Sequence, residues 1–137
     1  MIRSLVLAAA AAMSLAPIAQ AQEAEPAMTK GEERLAKLLE GRIAGEPRDC
    51  INTFGSTPLT QIDGTALVYR SGDTVWVNYT RMPEAIDDSD YLVIRKFSTS
   101  RLCRSDQVTT QSRFGNFFSG VIMLDEFVPY RRPEDAG

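Results

Sequence analysis

The sequence predicts an α+β fold, with one N-terminal amphipathic helix packed on a small, mostly antiparallel sheet of five or six strands. Three observations predict it. Leu35, Leu38, Leu39 and Ile43 recur at helical spacing directly after a helix-start motif. The rest of the chain breaks into short runs rich in Val, Ile, Tyr and Phe, separated by Gly, Pro and Ser. The two cysteines, Cys50 and Cys103, fall on two of those β-prone runs, far apart in the chain.

Residues 1–21 read as a secretory signal peptide. Arg3 supplies the positive start, Leu5 to Leu15 an Ala-rich apolar run, and Ala19-Gln20-Ala21 the small residues of a cleavage site. The run is shorter than the roughly 20 apolar residues that cross a bilayer, so no transmembrane anchor is expected in the mature chain. Cleavage after Ala21 places the protein in the periplasm or outside the cell. Gln22 to Met28 is polar, carries Pro26 and reads as a flexible mature N-terminus. Residues 29–130 form the single domain, and residues 131–137 read as a mobile tail.

Within the domain, Thr29-Lys30-Gly31-Glu32 is a capping box that starts the helix. Gly41 or Gly45 can end it, and Pro47 forbids its continuation. Arg48 to Phe54 is the first strand and carries Cys50. Ala66 to Tyr69 and Thr74 to Tyr79 form a hairpin around a three-residue turn, Ser71-Gly72-Asp73. Alternation sets Val75, Val77 and Tyr79 on one face and Thr74, Trp76 and Asn78 on the other. Trp76, with Ala66 and Val68, is the expected apolar seat for the helix, which makes this hairpin scaffold rather than site. Thr80 to Asp90 is a surface loop. Tyr91 to Arg95 and Arg101 to Arg104 are the fourth and fifth strands, Gln107 to Gln111 an edge strand, and Gly120 to Phe127 the last apolar strand.

The chemistry is narrow. The chain has 137 residues, no histidine and two cysteines. Without His, the usual general base, the Ser-His and Cys-His pairs and the commonest zinc ligand are gone. In an exported chain with no third thiol, Cys50 and Cys103 are expected to pair, closing a loop worth about 4 kcal/mol in the chain-entropy model. No phosphate-binding glycine loop and no Ser-x-x-Lys motif occurs. No catalytic residue, metal or cofactor is therefore assigned. The net charge of −3 argues against nucleic acid as a partner and, more weakly, against anionic membranes.

Several clusters remain as candidates. Arg95, Lys96, Arg101 and Arg104 could form a cationic binding face for a sugar acid or a lipid headgroup, or simply guard a strand edge by charge. Glu84, Asp87, Asp88 and Asp90 offer hard oxygens for Ca²⁺, but they lack the Gly turn and closing Glu of an EF-hand, so a solvated loop is the favoured reading. Phe114, Phe117 and Phe118 could form a recognition loop, and are more simply explained as core. Asn78-Tyr79-Thr80 matches a glycosylation sequon.

Four blocks carry a resemblance: R-L-A-K-L-L-E-G-R-I-A-G-E-P (Arg34 to Pro47), I-D-G-T-A-L-V-Y (Ile62 to Tyr69), R-L-C-R (Arg101 to Arg104) and D-E-F-V-P-Y (Asp125 to Tyr130). In combination they resemble an uncharacterised family of small exported alphaproteobacterial proteins. The resemblance implies export and a Cys50–Cys103 pair, and it brings no functional residue with it. The expected function is a non-enzymatic exported domain that binds or supports an envelope component. Two alternatives stay open: a hydrolase using Glu84 with Asp87 or Asp125 with Glu126, and an inhibitor presenting the Thr80–Asp90 loop to a secreted enzyme.

Overall fold

The computed structural model describes residues 24–54 and 58–135; the expected signal peptide lies outside them. The class is α+β, with one helix and mostly antiparallel strands. The strands do not form a single sheet of five or six. They form three sheets, because both faces of the central strands are apolar and each needs its own cover.

Helix α1 spans Lys30–Leu38, and the capping box is formed: Thr29 Oγ1 accepts from the Glu32 N–H at 3.2 Å, and Glu32 Oε2 accepts from the Thr29 N–H at 2.7 Å. α1 is the first described element but begins at residue 30, not at the chain terminus. The helix ends earlier than its apolar spacing suggests. Gly41 adopts φ +71°, which an L-residue rarely takes, and the chain turns away. Ile43 therefore leaves the helix and, with Ala44, forms β1 (Ile43–Ala44).

The main sheet has the order β1-β10-β5-β4-β3, with β3 Thr60–Ile62, β4 Ala66–Ser71, β5 Thr74–Asn78 and β10 Phe127–Arg131. Register pairs Val68 with Val77, Tyr69 with Trp76 and Ser71 with Thr74. The β4–β5 turn is thus the two residues Gly72-Asp73, not three, with Gly72 at φ +56° as the first position of a type II′ turn requires. A second hairpin, β3–β4, turns at Asp63-Gly64-Thr65, with Gly64 at φ +58°.

β10 carries Pro129 in its interior, where Pro is normally excluded. The Gly45 N–H donates to the Pro129 carbonyl at 2.7 Å, so Pro129's backbone polar groups face the two-residue β1. The missing donor therefore weakens only a short outer pairing. Arg131 belongs to this strand, and Pro133–Asp135 form a 3-10 turn within the expected tail.

Two smaller sheets cover one face. One is the ribbon of β2 (Cys50–Asn52) and β7 (Arg101–Cys103). The other has the order β6-β8-β9, with β6 Asp90–Arg95, β8 Gln107–Ser112 and β9 Phe118–Ile122. β8 is thus a central strand rather than an edge: Val108 and Thr110 are buried, and Gly120 lies directly opposite Thr110. The run Gly120 to Phe127 divides between β9 and β10.

The core accordingly has two halves. Leu35 of α1 packs with Ile62, Ala66, Val68, Val75 and Val77 on one face of the main sheet. Leu67, Tyr69, Trp76 and Phe127 on the opposite face pack with Ile51 and Leu102 of the ribbon and Val108 and Ile122 of the outer sheet. Ala66 and Val68 do seat the helix. Trp76 does not; strand alternation turns it toward the ribbon.

Candidate functional site

The ribbon is too short to stand alone, since a two-stranded β-pair is marginal in water. The Cys50–Cys103 disulfide holds it. The two residues face each other in register, with Cα atoms 4.0 Å apart. Their neighbours make the backbone bonds, Arg104 N–H to Asp49 O at 2.8 Å and Thr53 N–H to Ser100 O at 2.8 Å. Cys50 and Cys103 therefore occupy a non-hydrogen-bonded pair, the position of closest approach between antiparallel strands.

Against this ribbon lies a cleft of about 650 Å³, open to solvent. Its lining includes Arg48, Arg101 and Arg131 together with Trp76, Phe54 and Asp49. Each guanidinium comes from a different piece of the fold. Arg48 precedes β2 and is fixed by reciprocal backbone bonds with Phe127, 2.9 and 2.8 Å. Arg101 stands on β7 opposite Asn52. Arg131 ends β10, where its Nε donates to Thr74 Oγ1 at 2.9 Å. The Arg48 guanidinium sits 5.9 Å over the centre of the buried Trp76 ring, close enough for a cation–π attraction. A smaller depression of about 220 Å³ continues past Arg48 and Arg131 to Gly45 and Glu46.

The cleft carries three arginines and one acid among the described residues that line it. Within 4.0 Å, none of Arg48, Arg101 and Arg131 is ion-paired among the described residues, whereas Asp49, the cleft's one acid, is paired with Arg104 at 3.2 Å. Planar, permanently charged forks with free donors are suited to carboxylate, sulfate or phosphate oxygens.

The structure disperses the four basic residues singled out from sequence. Arg101 lines the cleft. Lys96 Nζ donates to Thr53 Oγ1 at 3.1 Å and to the Thr99 carbonyl at 3.2 Å. Arg104 pairs with Asp49 and, at 3.9 Å, with Glu126. Arg95 lies at the end of β6, opposite Gln107. Arg48 and Arg131 were not legible as partners, because only the pairing of β10 with β5 and the Arg48–Phe127 bridge brings them together.

In the acidic loop, Asp87 and Asp88 meet Asp63, a residue the sequence did not single out, with candidate ligand oxygens within 4.8 Å of one another. All three are exposed. Asp87 Oδ1 already accepts from the Ser89 N–H and hydroxyl, which hold its carboxyl below the ordinary aspartate range, and Asp88 lies 4.0 Å from Arg34. The loop itself is anchored by buried Ile86, whose carbonyl accepts from the Gly64 N–H at 2.8 Å.

Neither carboxylate pair named for hydrolysis lines one of the five main clefts. Asn78 is buried and fully engaged: its Nδ2 donates to Asp125 O at 2.6 Å, and its Oδ1 accepts from the N–H groups of Thr80 and Asp125, each at 3.0 Å. In the folded chain it is no glycan acceptor. Phe114, Phe117 and Phe118 are exposed rather than core.

No helix among the described residues is long and apolar enough to cross a membrane. In comparisons with known proteins, no family model, no curated protein and no solved structure matches this chain.

Proposed function

We propose that this protein is a non-enzymatic exported domain that binds an oxyanion-bearing component of the cell envelope in the Arg48–Arg101–Arg131 cleft. The observation that carries the reading is the set of three guanidiniums on one open cleft beside Trp76, with no ion-pair partner among the described residues. Export rests on the signal pattern of residues 1–21, with cleavage after Ala21, and on the disulfide, which persists in oxidising compartments. The blocks that resemble small exported alphaproteobacterial proteins support the same compartment. No nucleic acid, cofactor or metal belongs to this function.

The chain contains one tryptophan, so Trp76 emission reports the cleft directly. Titration with inorganic sulfate, inorganic phosphate and glucuronate is expected to give a saturable change for at least one of them, weakening as salt rises. Arg48→Gln with Arg101→Gln is expected to weaken that binding by about tenfold or more, since each charge-assisted hydrogen bond contributes about 1.5–3 kcal/mol. Both side chains are largely exposed, so the melting temperature should hardly move. A flat emission titration with all three probes, or unchanged affinity in the double variant, refutes the cleft as the binding site.

A further inference from the structure

The β8–β9 hairpin carries its apolar side chains on the outside. Phe114 is 90 % exposed, Phe117 61 % and Phe118 62 %, and Val121 and Met123 follow at 43 % and 46 %. These are five of the eleven large hydrophobic side chains exposed among the described residues, and they fall within positions 114–123. Scattered exposed apolar residues are ordinary, but a contiguous group marks an interaction surface. The tip is also fixed in place. The Ser112 N–H donates to Phe117 O at 3.0 Å, the Asn116 N–H to Ser112 O at 3.0 Å, and the Phe114 N–H to Ser112 Oγ at 3.2 Å. A Cβ at Gly115 would stand 2.8 Å from the Phe117 ring, so the glycine is what lets that ring lie over the turn. The aromatic side chains are presented by an ordered backbone, which lowers the entropy cost of using them.

Charge selects the occupant. No Asp or Glu occurs from Gln107 to Leu124, and the one charged side chain there is Arg113 at the tip. Register places Tyr91, Val93 and Arg95 of β6 beside Gln111, Thr109 and Gln107 of β8, with Phe118 and Val121 of β9 completing the outward face. That face carries no carboxylate. Of the acids near it, Asp90 at the start of β6 accepts a hydrogen bond from Ser119 Oγ, and Asp106, beside Val121 and Met123, accepts from the Phe97 and Cys103 N–H groups. The chain as a whole is acidic, at −3, yet this end is apolar and cationic. Side chains projecting from a convex tip need no shaped pocket and suit a fluid interface, with a cation placed for lipid phosphate.

We propose that the β8–β9 hairpin inserts Phe114, Phe117 and Phe118 into the surface of an anionic phospholipid bilayer, with Arg113 on the headgroup phosphates. A few side chains give reversible attachment, not an anchor. The surface shares no residue with the arginine cleft, so the two proposals stand or fall separately.

The test uses the full chain carrying Phe114→Trp and vesicles of phosphatidylcholine with about one-third phosphatidylglycerol, a fraction that makes the surface strongly anionic. One vesicle set has brominated acyl chains. With the wild-type chain as the Trp76 baseline, the introduced indole is expected to shift blue and be quenched by the brominated lipid. Adding Phe117→Ser and Phe118→Ser should lower partitioning by about tenfold or more, and Arg113→Gln or added salt should weaken it further. All four positions are exposed, so the fold is retained. An indole left unquenched while the chain floats with vesicles means attachment elsewhere, and overturns the proposal. So does concentration-dependent dimerisation lost in Phe114→Ser without bilayer binding; β9 is a sheet edge with no Lys or Pro to guard it, and that outcome would assign the surface to a second copy.

Discussion

The Tyr79 phenol shows how one contact sets a pH response. Partial burial is the larger cause, and the Tyr130 hydroxyl 2.6 Å away the second, that pushes its pKa above the ordinary tyrosine value of 10.0. The folded chain therefore keeps a proton that the unfolded chain releases above about pH 10. By linkage, this stabilisation is complete below the unfolded value and is lost as pH rises beyond it. Melting temperatures measured between about pH 8 and 11 should fall at the alkaline end, and fall less in Tyr79→Phe; identical slopes in the two chains would remove the phenol pair as the cause. Asn78 and Thr80 beside it are also decided locally. Asn78 satisfies three backbone groups, while Thr80 holds φ 56° with its Oγ1 buried and unpartnered. The turn is secured by the amide at the expense of the threonine.

Among the elements, the ribbon depends most on a single bond. β2 and β7 contribute three residues each, and Ile51 and Leu102 are their buried anchors. Cys50→Ser with Cys103→Ser is expected to cost about 2–5 kcal/mol. The ribbon carries Arg101 into the cleft, so oxyanion binding should weaken along with stability. Chemical denaturation read beside the Trp76 titration checks both. Two reactive thiols per denatured, unreduced chain would show that the bond is absent from the protein as purified. The acidic loop is the contrasting element: Asp87 and Asp88 already have protein partners, and millimolar chelator should leave the melting temperature unchanged.

At the scale of the molecule, the two core halves differ in reach. The half around Phe127, Trp76 and Val108 joins all three sheets, while the half under α1 joins only the helix to the main sheet. Leu35 is the one buried residue of α1. Leu35→Ala should cost about 2–4 kcal/mol. Hydrogen exchange should then show α1 opening well before β4 and β5, as a peripheral unit does. Equal loss of protection in the helix and the central strands would mean that the two halves melt as one.

The sequence by itself determined what depends on neighbours in the chain. Thr29 and Glu32 three residues apart are enough to start a helix, and a β-prone pair around Gly72 is enough to close a hairpin. The Asp63-Gly64 turn is equally local, an Asp-Gly pair between β-prone runs. The charge and the missing histidine also bounded the chemistry before any fold was known. Tertiary structure alone decided what depends on register and on which face is covered. Helical spacing continues through Ile43, but Gly41 turns left-handed and the strand end of β10 captures the residue. Gln107 to Gln111 looks like an edge because it is polar, yet its alternate residues Val108 and Thr110 fill the core between two partners. Three phenylalanines close together suggest core, and a hairpin tip holds them out in solvent. Arg48, Arg101 and Arg131 share no spacing that a sequence can show. They meet because a bridge to Phe127, a disulfide-held ribbon and the end of a strand paired with β5 converge on Trp76, and such convergence is a property of long-range pairing rather than of any local stretch.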